Sequence, residues 1–258
     1  MSAPARVRLS AALRRVRGPR LLRSACLYFG SGLLTIDEFR APANARWDAY
    51  DSDAVGLDEL EERLYGEVIA PSDRVLLIGC GAGRDLLELR RRGYAVTGLE
   101  PSPVLAGRAR MELRSRGFAP AIIAQAVEDY SPDQIYDAVI FSPYTYSYVL
   151  GSAARIATLA RLKRHLAPDG RVLLTYAVLA GQSPAWIALS RVASFCSGSD
   201  WRPEPGDRLY SPPAHPDMVG FEHQFTPDEV ERECTAAGLR VDRDRAISPL
   251  FRFAVAVC

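Results

Sequence analysis

The chain has 258 residues, 48% hydrophobic and 24% charged, with a net charge of +1 and a pI near 7.6. That is enough apolar material for one large domain with an added part, and the near-neutral balance gives no reason to expect a nucleic-acid partner. No apolar run is long enough to cross a bilayer, while five scattered cysteines without a Cys-x-x-Cys pair and three unpaired histidines argue against structural zinc and for a reducing, cytoplasmic compartment.

The chain opens with Arg6, Arg8, Arg14, Arg15, Arg17, Arg20 and Arg23, and no acid precedes Asp37. Such a start suits a transit peptide, a membrane-surface helix or a solvated helix. Residues 28–50 mix aromatics, glycine and proline as a lid would, so residues 1–56 read as an Arg-rich helical and lid segment. A helix is expected over Leu57–Ile69, with Leu57, Leu60, Leu64 and Val68 at helical spacing. The apolar run Val75–Ile78 reads as a buried strand, followed by Gly79, Gly81 and Gly83, a helix carrying Leu86, Leu87 and Leu89, a stop at Gly93, and a second strand Ala95–Leu99 ending on Glu100. Next comes a helix capped by Ser102 with Pro103 first and Gly117 as its stop, then strands at Ala121–Gln125 and Tyr136–Phe141. Ser152–His165 is a helix, Ala167–Gly170 a turn and Arg171–Tyr176 a strand. Residues 178–222 fit no strand–helix alternation and are dense in proline and polar groups, as a substrate-cap insertion would be. Thr226, Pro227 and Glu229 form helix-start chemistry with a capping box, Phe225 and Val230 a hydrophobic staple, and Gly238 a stop. Strands Leu239–Asp242 and Phe251–Val257 close the chain as a hairpin.

Strand, glycine turn, helix, strand and carboxylate make up the nucleotide-binding half of a doubly wound α/β sheet. A dinucleotide site wants a third small residue where Arg84 stands, so the pattern here is Gly-x-Gly-x-Gly. From residue 57 onward the landmarks resemble the class I S-adenosylmethionine-dependent methyltransferases. They are the glycine turn, Glu100, the strand YDAVIFSP, the block LKRHLAPDGRVLLTY and the block FTPDEVERECTAAGL. The resemblance implies a Rossmann-like seven-stranded sheet of order 3-2-1-4-5-7-6 with the last strand antiparallel, helices on both faces, and S-adenosylmethionine as cofactor. It places Gly79, Cys80, Gly81 and Gly83 around the methionine moiety, Glu100 and Pro101 at the ribose, and Gln125, Ala126 and Val127 at the adenine. Ser142 and Pro143 would floor the sulfonium, and Trp47 and Tyr50 would cover the methionine end or pack in the core.

Two departures from the family pattern stand out. Leu77 occupies a position where many members have an acid near the cofactor ammonium; Asp85 is a substitute, or simply a helix-start acid favoured by the dipole. Phe141-Ser142-Pro143-Tyr144 lacks the leading amide or acid of the Asn/Asp-Pro-Pro-Tyr motif of nucleobase and glutamine N-methyltransferases. A sulfonium methyl is already activated, so alignment and water exclusion matter most, with a base for an O or N nucleophile where a proton must leave. His223 is the first candidate base, with a structural histidine beside Phe221 and Phe225 as the alternative; His215 is the second, while His165 suits a helix terminus. Tyr144, Tyr146 and Tyr148 would shape the acceptor pocket, and Trp201, Arg202 and Arg208 would hold an aromatic or acidic substrate. The expected activity is methylation of a small molecule. A protein or RNA acceptor docked by the arginines, and a non-catalytic member of the fold, are the alternatives.

Overall fold

A computed structural model describes residues 2–40, 56–181, 183–210 and 219–258. Its helices include α1 (Ala3–Arg14), α2 (Arg20–Gly32), α3 (Glu59–Gly66), α4 (Arg84–Arg91), α5 (Pro103–Ser115), α6 (Ser152–Lys163), α7 (Pro184–Ser197) and α8 (Pro227–Ala236). Its strands are β1 (Arg74–Ile78), β2 (Ala95–Leu99), β3 (Ile122–Ile123), β4 (Tyr136–Phe141), β5 (Leu166–Val178), β6 (Asp207–Tyr210), β7 (Gly220–Phe225), β8 (Arg240–Ser248) and β9 (Phe251–Val257). Two compact units result: Met1–Ala49 with Leu179–Gln224, and Tyr50–Val178 with Phe225–Cys258.

The larger unit is built on the strand order β3-β2-β1-β4-β5-β9-β8. Pairs β1–β2, β1–β4, β2–β3 and β4–β5 are parallel, while β9 runs antiparallel to both β5 and β8. This is the order the resemblance implies, with the two closing strands numbered later because β6 and β7 come before them in the chain. Strand side chains alternate between two cores, which is why the strands read as unbroken apolar runs. Leu76, Ile78, Val139, Phe141, Val172 and Leu174 face one cluster with Leu159 and Leu162 of α6 and Val230 and Cys234 of α8. Val75, Leu77, Ala138, Ile140 and Leu173 face the other, with Leu64 of α3, Leu86 and Leu89 of α4 and Ala106 and Ala109 of α5. Leu77 is therefore a core side chain, fully buried.

Local chemistry sets the element ends. Ser102 Oγ accepts from Leu105 N at 3.1 Å and Thr226 Oγ1 from Glu229 N at 3.3 Å, the expected caps. The reciprocal half of the expected box at Thr226 does not form; Glu229 turns to Arg155 at 3.5 Å instead. A full capping box does start α3, where Asp58 accepts from Glu61 N at 2.8 Å and Glu61 from Asp58 N at 2.9 Å. β3 is shorter than the expected Ala121–Gln125, because a turn begins at Ala126, whose carbonyl accepts from Asp129 N and Tyr130 N. β5 contains the expected turn rather than following it: Tyr136 faces Leu166 but Ala138 already faces Arg171, so residues 167–170 loop out of the ladder.

The smaller unit packs α1, α2 and α7 with the β6–β7 hairpin. Ser190 Oγ donates to Tyr28 O at 2.7 Å, Tyr28 stacks on Trp186 at 5.8 Å, and Leu209 N donates to the Tyr28 hydroxyl at 3.1 Å. Trp201 is 2% exposed, with its ring 4.7 Å from Phe39 and 6.2 Å from Phe221. That corrects the substrate-holding role expected for Trp201, since the indole is this unit's core. Arg202 is likewise spent on the backbone of Ser199 and Trp201 and on Ser194 Oγ, and Arg208 pairs with Glu222 at 2.9 Å.

Candidate functional site

At the carboxyl end of β1 the chain turns through three glycines, each with positive φ but with a different neighbour. Gly79 (φ +75°) has its N–H on Leu99 O at 2.8 Å, and a Cβ there would collide with Thr145 and lie 3.0 Å from Ser142 Oγ. A Cβ on Gly83 would meet Ala109 of α5 at 2.9 Å. Gly81 (φ +54°) faces open space, with no atom within 4 Å of where a Cβ would stand. The turn is thus closed by protein on both sides and left open at its middle.

Glu100 closes the end of β2 and is 5% exposed. Its Oε2 accepts from Gly81 N and its Oε1 from Ser102 N, both at 2.9 Å. Pro101 stands exposed between them. The carboxylate therefore fixes the open glycine to the start of α5, and its requirement is for an acceptor at both oxygens. Across β3, Gln125 is half-buried and its Nε2 donates to Asp129 O at 2.9 Å, which leaves its carbonyl as the acceptor. Ala126 is half-buried, and Val127 is 6% exposed, within the cluster of α6 and α8.

The end of β4 carries Ser142, which donates from Oγ to Gly79 O at 2.8 Å and shares a hydrogen bond with Thr145 Oγ1 at 2.7 Å. Half-buried Pro143 follows, then Tyr144 with φ +66°, the one non-glycine in the left-handed region among the described residues. Tyr144 N donates to Thr175 Oγ1 at 2.9 Å, and Thr175 donates to Ser142 O at 3.1 Å. Strained backbone of this kind concentrates at functional sites. Burial pushes the Tyr144 phenol up, with the charges of Asp58 and Glu61 adding to it, so the hydroxyl keeps its proton. Its ring lies 4.2 Å from that of Phe251. Removing the ring while keeping the strain is worse than removing both: Tyr144→Gly is expected to unfold at higher denaturant than Tyr144→Ala, by about 1 kcal/mol. The reverse order would mean that the left-handed residue is unstrained.

Thr145 and Thr175 fall outside the residues expected at this site. Thr175 has a signal, being the single polar residue in the run Val172–Val178 apart from Tyr176. Thr145 has only its three-residue spacing from Ser142. Tyr146 departs from the acceptor-pocket role: it is fully buried, and its hydroxyl donates to Glu233 at 2.6 Å.

Asp85 sits in a different grouping from the one expected. Its Oδ2 accepts from the Tyr65 hydroxyl at 2.8 Å and its Oδ1 from Arg84 Nε at 2.7 Å, and Arg84 also grips Glu61. Burial lifts the Glu61 carboxyl, helped by Asp85, and lifts the Tyr65 phenol well up. Asp85 is thereby an internal tie between α3 and α4. Cys80 is buried, and that burial, with Glu100 and Asp85 nearby, holds it as an unreactive thiol.

His223 belongs to the smaller unit, fully buried, with Nδ1 2.7 Å from Asp207 Oδ1. Asp207 Oδ2 accepts from Glu204 N at 2.8 Å, so the pair locks the β6–β7 hairpin where Asp207 faces His223. His165 follows α6, and its carbonyl accepts from Tyr136 N at 2.8 Å. Trp47, Tyr50 and His215 lie outside the described residues.

Among solved structures, an S-adenosylmethionine-dependent methyltransferase from Methanosarcina mazei shares 20% identity over 79% of this chain and 98% of its own, with a TM-score of 0.60. The glycopeptide N-methyltransferase MtfA, complexed with S-adenosylhomocysteine, shares 19% over 83% of this chain and 96% of its own, with a TM-score of 0.57. The 1,6-didemethyltoxoflavin N1-methyltransferase of Burkholderia thailandensis shares 19% over 72% and 71%, with a TM-score of 0.50. At such identities the likeness is one of fold. No curated protein matches the chain. Residues 50–243 match the family described as "Methyltransferase domain". They hold the glycine turn, Glu100 and the Ser142–Tyr144 segment, and the chain belongs to that methyltransferase family.

Proposed function

We propose that this protein binds S-adenosylmethionine at the carboxyl ends of β1, β2 and β4 and transfers its methyl group to an oxygen or nitrogen of a small molecule. The observation that carries the reading is the glycine turn left open at Gly81 and tied by its own N–H to the Glu100 carboxylate. When bound, the cofactor supplies a methyl group already activated on a sulfonium. Glu100 takes the ribose hydroxyls, since its carboxylate stands at the carboxyl end of β2 beside the open glycine and a carboxylate accepts from O–H donors. The Gln125 carbonyl accepts from the adenine amino group, with Val127 and the Ala126 backbone beside the ring. The turn from Gly79 to Gly83 lets backbone approach the methionine moiety closely. Ser142 and Pro143 form the floor under the reacting carbon, and the Tyr144 hydroxyl donates a hydrogen bond that orients the acceptor.

Alignment of nucleophile and methyl group, rather than proton removal, is then the main contribution of the chain. The small-molecule acceptor is supported by similar folds in a glycopeptide N-methyltransferase and a 1,6-didemethyltoxoflavin N1-methyltransferase. A reducing, cytoplasmic location suits five free cysteines.

Calorimetric titration of S-adenosylmethionine and S-adenosylhomocysteine tests the reading, with Gly81→Ala beside the wild type. The wild type is expected to bind both. The variant is expected to lose only about 1 kcal/mol of stability, for an alanine in the left-handed region, yet to weaken binding about tenfold or more by filling the open space. No heat and no thermal shift from either ligand in the wild type would sink the proposal.

A further inference from the structure

The smaller unit carries a basic, apolar corner that neither its own packing nor methyl transfer uses. Residues 15–19 join α1 to α2, and Arg17, Arg20 and Arg23 are all exposed there, as is Arg8 on α1. Arginine stands in the first turn of α2, where the helix dipole disfavours positive charge, and no acid offsets it. That placement costs local stability, so the charges serve something other than the helix. Interleaved with them are Leu21, 73% exposed, and Leu22, 47% exposed, while Val7 and Leu9 of α1 are 40% and 42% exposed. The unit as a whole has 12 basic and 8 acidic residues, against 20 and 23 in the larger one, so the positive charge is concentrated here.

We infer that this corner docks on an anionic phospholipid surface. Nucleic acid would satisfy the arginines but leave Leu21 and Leu22 in water. A second copy of the corner would set arginine against arginine. A bilayer interface takes both kinds of side chain at once, phosphate and carboxylate headgroups pairing with the guanidinium groups while the leucines enter the acyl boundary. No helix among the described residues is long and apolar enough to cross a membrane, so the contact lies on the surface. Neither the glycine turn nor Glu100 takes part, and the docking stands or falls separately from cofactor binding.

The test is flotation of the full chain with vesicles of phosphatidylcholine alone or with about one-third phosphatidylserine. Three proteins are compared: wild type, the triple variant Arg17→Gln, Arg20→Gln, Arg23→Gln, and the double variant Leu21→Ser, Leu22→Ser. Wild type is expected to float with the anionic vesicles and not the neutral ones. Each variant is expected to partition about tenfold more weakly or worse, the triple through lost headgroup pairing and the double through lost burial. Because all five positions are exposed, S-adenosylhomocysteine binding should not change and neither variant should unfold, the triple variant melting no lower than wild type once arginine leaves the first turn of α2. Three results would overturn the inference: no flotation at low salt, flotation indifferent to lipid charge or to the leucines, or tighter binding to a mixed-sequence RNA oligonucleotide than to the vesicles.

Discussion

Replacing Glu233 by alanine is expected to remove about 3–5 kcal/mol of stability, the scale of breaking a buried ion pair from one side. Arg155 on α6 is fully buried and Glu233 on α8 is 2% exposed. Arg155 Nη2 donates to Glu233 Oε1 at 2.8 Å, and Nε donates to both carboxylate oxygens at 3.0 Å. Nη1 donates to Val149 O at 3.2 Å, and the guanidinium lies 4.9 Å over the Phe225 ring. The Tyr146 hydroxyl adds a further hydrogen bond to Glu233, and burial, followed by that carboxylate, drives its own titration well upward. Alanine would strip the phenol of its acceptor and leave the guanidinium without its closest carboxylate, the nearer of the two being Glu233 and the looser Glu229 at 3.5 Å. Glu233→Gln keeps an acceptor and should lose less. Replacing Arg155 and Glu233 together by leucine removes both charges, so it should recover most of the loss. Urea unfolding of the four proteins decides it. If Glu233→Ala lost under about 1 kcal/mol, the pair would be solvated in solution, contrary to its burial. The effect reaches the site as well, because Tyr146 anchors the 3-10 turn Thr145–Tyr148 that follows the strained Tyr144.

That network also marks the limit of what the sequence discloses. Arg155 and Glu233 are 78 residues apart, each on a helix of ordinary polarity, and nothing local in either segment announces a burial that only packing α6 beside α8 creates. The strand, glycine turn and carboxylate from Val75 to Glu100 are legible because backbone sterics and strand ends act within a few residues. So are the caps at Ser102 and Thr226, which depend on a bond three residues away. The capping box of Asp58 and Glu61 has an equally local signature, although the expectation there rested on helical spacing alone and started the helix at Leu57. Where a local signal met a stronger distant partner, the partner won: the Glu229 side chain went to Arg155 instead of closing its own box, and Asp85 went to Tyr65 as well as to its neighbour Arg84. The expected turn at Ala167–Gly170 and the strand from Arg171 both exist, since the ladder resumes at Arg171 after the loop. Gly79 is legible as a glycine required for close approach. What approaches it includes Thr145, a contact of protein with protein that no motif encodes. Trp201 looks like a recognition residue because it sits in a polar, proline-rich stretch, yet an indole is mostly apolar surface, and two phenylalanines far along the chain bury it.

Glu100 is the position where one atom's chemistry should decide cofactor affinity. Glu100→Ala is expected to weaken S-adenosylhomocysteine between about tenfold and a hundredfold, the range for one or two hydrogen bonds to a charged group. Part of that loss is indirect, since Gly81 N and Ser102 N would lose their acceptors and the open turn its tether. Glu100→Gln separates the two causes. An amide has the same shape but offers one oxygen and one NH2. Whichever way it is turned, the NH2 confronts a backbone N–H, either that of Gly81 or that of Ser102. Donor against donor in a site only 5% exposed is worse than an empty position, because water has little room to mediate. The glutamine variant should therefore bind no better than the alanine one, despite being nearly isosteric, and should unfold at a lower urea concentration than wild type. Calorimetry on the three proteins reads this directly. Near-wild-type affinity in Glu100→Gln would show that an acceptor at one oxygen is enough, and the double tether to Gly81 and Ser102 would then have no part in holding the turn open for a ligand.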